Sequence, residues 1–96
     1  FIDWVRGMIA LRDPARAGEA AGHLGKACEQ FLGLVRKAPG AWPSLAVCTC
    51  DYALALAWSG RAEMGRTVLA SVQPVARHHA EPERLALLER ELRLRG

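Results

Sequence analysis

The sequence holds no Asn, only two Thr (Thr49 and Thr67) and only two Ile (Ile2 and Ile9) among 96 residues. β-branched side chains favour strands, and no stretch alternates apolar with polar residues as a half-buried strand does. A sheet is therefore excluded as the organising element. No apolar run reaches the roughly 20 residues that cross a bilayer. Asp51 and the run Ser59-Gly60-Arg61 interrupt the longest ones. No basic-then-apolar leader opens the chain, and it starts at Phe1 rather than Met, as a trimmed or excised segment would. The glycines at 18, 22 and 25 neither follow a strand nor have phosphate-loop spacing. Cysteine is sparse too: Cys28, Cys48 and Cys50 make an odd set without disulfide-like spacing, which suits a reducing, cytoplasmic setting.

The net charge is only +3. Nucleic-acid backbones call for a clustered basic excess. Here Arg61, Arg66, Arg77 and Arg84 are interleaved with acids, so no nucleic-acid partner is expected. Nor are the polar faces uniformly basic, so membrane-surface binding is not expected.

What is abundant is Ala, Leu, Arg and Glu, all strong helix formers. Half of the chain (51%) is apolar and 24% is charged, the balance of a folded globular chain rather than a disordered one. The expectation is an all-α protein of about five antiparallel helices stacked as hairpins. Residues 1–96 would be a single helical domain or a fragment of a larger repeat array.

The spacing predicts a first helix over 1–12, with Phe1, Trp4, Met8 and Leu11 on one face. Asp13-Pro14 reads as N-cap plus first helical residue of a second helix over 14–38. Its stripe is Leu24, Ala27, Cys28, Phe31, Leu34, Val35 and Ala38, and Pro39-Gly40 stops it. Gly18, Gly22 and Gly25 follow one side of it and suggest a close helix approach. The third helix, 43–59, carries two apolar stripes: Leu45, Cys48, Tyr52 and Leu56 on one, Val47, Cys50, Leu54 and Trp58 on the other. Such a helix either lies between neighbours or holds something on its second side. Gly60 reads as a left-handed C-cap. A fourth helix follows over 61–79, with Met64, Val68, Leu69, Val72, Val75 and Ala76 inward and a kink or break expected at 71–74 beside Pro74. Glu81-Pro82 opens a fifth, with Leu85, Leu88 and Leu92 as its stripe.

Metal and nucleophile chemistry find little support. Residues two apart on a helix project about 200° apart, so Cys48 and Cys50 do not share an ion, and the adjacent His78 and His79 diverge similarly. A buried helical Cys is usually inert. No metal, cofactor or catalytic set is expected.

Helices three and four resemble one tetratricopeptide-type repeat. Ala53, Gly60, Gly65, Leu69 and Val72 stand at the family's spacings, although Tyr52 and Leu56 exchange its usual Leu and Tyr, Val72 is bulky for its place, and Pro74 is displaced from the closing position. Gly22, Ala27, Phe31, Leu34 and Pro39 resemble the later half of another repeat, at a spacing longer than the usual period. The stretch from Leu54 to Leu94 is also similar to the longer-helix repeats of bacterial signalling regulators. The resemblance implies a concave face that binds a protein or peptide, lined by Val47, Cys50, Leu54, Ala57 and Trp58, with Arg61 at the rim. It implies a non-catalytic adaptor, chaperone or sensing module, alone, as a homodimer, or beside neighbouring repeats. The alternatives are a structural repeat segment of a larger regulatory protein, and a helical small-molecule pocket between helices two and three.

Overall fold

The computed structural model describes the backbone of residues 2–79 and 82–95 and the side chains of residues 2–70 and 85–94. The chain is all-α, and no strand occurs among the described residues. Five helices follow one another: α1 (Ile2–Leu11), α2 (Ala17–Val35), α3 (Trp42–Trp58), α4 (Ala62–His79) and α5 (Pro82–Arg95). Single 3-10 turns, Pro14–Arg16 and Pro39–Ala41, lead into α2 and α3.

The boundaries follow from local chemistry. The Asp13 carboxylate accepts the Ala15 N–H at 3.0 Å, and Pro14 takes the first position, where its missing N–H costs nothing. That cap belongs to the 3-10 turn, and the α-helix proper begins three residues later than Pro14. Gly60 adopts φ +86° and closes α3. The Arg61 N–H reaches Leu56 O at 2.8 Å and the Gly60 N–H reaches Ala57 O at 3.3 Å, the paired bonds of a Schellman motif. α4 runs without interruption through Pro74, so of the kink or break expected there the break does not occur. The side chains of Val72, Val75, Ala76, His78 and His79, and all of Phe1, lie outside the described residues.

Consecutive helices pack as antiparallel hairpins, α1 on α2, α2 on α3 and α3 on α4. α5 folds back across α3 and α4. α3 meets all four other helices, which explains its two apolar stripes. Ten of the twenty-two buried apolar residues described are Ala, so the backbones themselves approach closely. Two glycines set the tightest contacts. A Cβ on Gly7 would lie 2.5 Å from Leu24 Cγ, and one on Gly65 would lie 2.9 Å from Ala53 O.

The glycine stripe of α2 works differently from expectation. Only Gly25 serves a contact, with the Tyr52 ring 3.4 Å from where its Cβ would be. Gly18 and Gly22 face open space, and α2 remains helical through them. Side-chain placement also corrects the ends of several stripes. Leu34, Ala38 and Met64 are exposed rather than inward, whereas Leu24, Ala27, Phe31, Val35, Leu69, Leu88 and Leu92 are buried as expected.

Polar contacts tie the stack at its edges. Trp4 Nε1 donates to Asp51 Oδ2 at 3.5 Å, linking α1 to the centre of α3. The same indole meets the Phe31 ring edge-to-face at 5.4 Å, a favoured aromatic geometry. The Gln30 amide donates to Asp3 Oδ2 at 3.2 Å, and His23 lies 3.7 Å from the other Asp3 oxygen. Arg66 donates to Leu92 O at 2.8 Å, satisfying one of the last four carbonyls of α5 with a cation suited to that end.

The glycines separate into two classes by outcome. Gly18→Ala and Gly22→Ala should each stabilise the fold by about 0.5–1 kcal/mol, because Ala gains helix propensity and meets nothing. Gly65→Ala should lower the melting temperature despite the same propensity gain, because its methyl meets the α3 backbone. Gly60→Ala should cost about 1–2 kcal/mol for a side chain in the left-handed region. Thermal melting followed by circular dichroism reads all four.

Candidate functional site

The face implied by the repeat resemblance is not open. Cys50 and Leu54 are buried, at 1% and 7% exposure, and Ala57 is fully buried. All three belong to the central cluster. The physical reason is the position of α3. Gly65 brings α4 onto Ala53 and Ala57, and Leu92 of α5 closes over the same place. Val47 and Trp58 are half-buried and Arg61 is exposed, with its Nε donating to Ser59 Oγ at 3.4 Å. The six residues therefore do not form one lining surface: three are core, two are partly covered and one is at the turn.

A groove does exist on the opposite side of α3. It encloses about 280 Å³. Its floor is Leu45, Thr49 and Tyr52 from α3. One wall is Gly25, Cys28, Glu29 and Leu32 from α2, and Val68 of α4 forms the other. Leu45 and Tyr52 belong to the first apolar stripe expected on the third helix, and the groove lies where the alternative pocket between helices two and three was expected.

The groove's chemistry is mainly apolar. Gly25 lets the Tyr52 ring lie against α2, and this removes bulk from the groove wall. Leu32 is 48% exposed at the opening and Glu29 is an exposed acid beside it. The Thr49 hydroxyl is committed to Leu45 O at 2.7 Å, so it offers no free donor.

Beneath the wall, two thiols meet. Cys28 Sγ of α2 and Cys48 Sγ of α3 are 3.5 Å apart, and Thr49 Oγ1 is 3.8 Å from Cys28 Sγ. Hydrogen bonding with Cys48 draws the Cys28 thiol below its usual value, against the opposing effect of burial and the nearby Asp51 and Glu29 carboxylates. Cys48 is pushed upward by the same partnership and by burial.

The contact was legible in principle. Cys28 and Cys48 are each ten residues from Ala38, the centre of the connection between α2 and α3. An antiparallel hairpin reflects residues about its turn, and Gly25 against Tyr52 obeys the same mirror. Sequence reasoning compared Cys48 with Cys50 and overlooked the reflection. Those two cysteines do diverge, with Cys48 toward α2 and its Sγ 3.9 Å from Leu24 O.

Elsewhere, Arg6, Ile9, Arg16, Glu19 and His23 frame a shallow surface hollow of about 350 Å³. Arg16 and Glu19 form a bidentate pair there at 3.0 and 3.1 Å, which raises the guanidinium's affinity for its proton and lowers that of the carboxyl. Both are solvated, so this is a surface ion pair. Among the described residues, no three of His, Cys, Asp and Glu gather in a group that could hold a metal. No described helix is long and apolar enough to cross a membrane.

No protein-family model matches the chain, and neither a curated protein nor a solved structure matches it.

Core and surface positions on α3 should separate by substitution. Leu54→Ala should cost about 2–4 kcal/mol, as truncation in a packed core does. Arg61→Ala should stay within about 0.5 kcal/mol, as exposed sites do. Chemical denaturation of the two variants gives both values. Near-neutral behaviour of Leu54→Ala would place that residue on a surface instead.

Proposed function

We propose that this chain is a non-catalytic interaction module whose groove between α2 and α4 receives an apolar side chain of a partner protein. The observation that supports this is the groove itself, floored by Leu45 and Tyr52 and opening beside the exposed Leu32. Apolar anchors seated in pockets supply most of the affinity of such contacts, and surrounding groups supply orientation. Glu29 at the opening favours a basic residue next to the anchor.

The reading agrees in kind with the tetratricopeptide resemblance, which implies partner binding without catalysis. It differs in place, using the α2-facing side of α3 instead of Val47, Cys50, Leu54, Ala57, Trp58 and Arg61. The groove also lies between helices two and three, where a small-molecule site was the alternative. The exposed Leu32 and Glu29 at the opening extend the groove onto the surface, as a protein partner requires. The adaptor, chaperone and sensing roles are all compatible with this mode of binding.

Selection of phage-displayed peptides on the immobilised chain tests the reading. Enriched peptides should share an apolar anchor and a neighbouring Lys or Arg. Leu32→Asp, an exposed substitution that leaves the core intact, should weaken the best of them at least about tenfold, or about 1.4 kcal/mol. Absence of enrichment, or equal binding by the Leu32→Asp chain, overturns the proposal.

A further inference from the structure

The Cys28–Cys48 pair has a geometry that simple packing does not require. Two small apolar side chains would fill the same space, yet the helices present two sulfurs to each other at 3.5 Å. A disulfide has its sulfurs about 2.05 Å apart, so closure needs a relative movement of only about 1.5 Å. The residues come from two adjacent helices joined by one turn, and Thr49 and Leu24 O complete the surroundings.

The two thiols are also unequal. Cys28 is half-buried and lines the groove, within reach of a small reagent. Cys48 is fully buried behind it. The third cysteine, Cys50, is buried on α3 and belongs to the central cluster. One accessible sulfur backed by one protected sulfur is the arrangement that lets a first modification be resolved internally. Cys28 is also the member of the pair whose thiolate is the more readily formed, which is the reactive species.

We propose that Cys28 and Cys48 form a thiol–disulfide switch in which Cys28 is modified first, Cys48 resolves it, and the resulting bond staples α2 to α3. The oxidant is a small-molecule disulfide of the glutathione class. The Cys28 thiolate attacks one sulfur of that disulfide, whose S–S bond breaks. The departing thiolate takes up the proton that Cys28 lost, and a mixed disulfide remains on Cys28. Cys48 then gives up its proton to the second leaving thiol as its sulfur attacks the Cys28 sulfur. The balance is two protein thiols oxidised to one disulfide and one small disulfide reduced to two thiols. A dithiol reductant runs the sequence backwards. The switch stands independently of what occupies the groove.

The test uses the folded, reduced chain, oxidised glutathione, acid quenching, alkylation and peptide mass mapping. The wild-type chain should become lighter by about 2 Da as a monomer, with Cys28 linked to the peptide 38–61. That peptide contains both Cys48 and Cys50, so Cys50→Ala assigns the bond and should cross-link to the same extent. Cys48→Ser should stop at one glutathionyl group on Cys28. Cys28→Ser should remain unmodified under native conditions. Circular dichroism confirms that each variant is helical, and fragmentation of the cross-linked wild-type peptide between Cys48 and Cys50 assigns the bond without any variant. A bond between Cys48 and Cys50, loss of the cross-link in a helical Cys50→Ala chain, an intermolecular dimer as the main product, or an unreactive Cys28 in the folded wild-type chain overturns the proposal.

Discussion

The requirement that α3 be covered on every side organises the molecule. Its residues from Leu45 to Ala57 are apolar around nearly the whole circumference, and eleven of these thirteen are buried. A helix of that kind is stable only with neighbours on all sides. The other four helices supply them, and each presents a different kind of surface. α2 offers Leu24, Ala27 and Phe31, α4 offers the bare backbone of Gly65, α5 offers Leu88 and Leu92, and α1 reaches in with Trp4. The one buried charge among the described residues of α3, Asp51, is engaged by that indole, so α1 is tied to the central helix by a contact spanning 47 residues of sequence.

Close spacing follows from the same requirement. A short chain cannot surround a helix with large side chains and still have helices left to do so. Ala and Gly allow the axes to come together, and the few large residues fill the remaining gaps. The edges of the stack carry the excess. Ile2, Val5 and Ile9 form an outward apolar face on α1, where no described helix covers them.

The helices themselves were legible, because period, caps and breakers agree along most of the chain. Asp13-Pro14, Pro39-Gly40 and Gly60 marked boundaries through local chemistry that needs no tertiary partner. Pro74 suggested a break, yet α4 continues through it. The glycines misled in a different way. Gly18 and Gly22 look like a packing stripe by spacing alone, whereas Gly7 and Gly65 are the real contacts, and only the choice of facing helix distinguishes them. The candidate site was hardest to read for the same reason. Periodicity shows that α3 has two apolar sides, but which side is sealed depends on where α4 and α5 come to rest.

The turn between α2 and α3 acts as a ruler. Gly25 with Tyr52 and Cys28 with Cys48 are matched because nearly equal lengths of helix leave the turn in opposite directions. Removing one residue between 36 and 38 would make those lengths unequal and shift the match by one position. The sulfurs would part and Tyr52 would lose its glycine, although no side chain in either contact had changed. Within this hairpin, the length of the connection carries as much information as the residues it brings together.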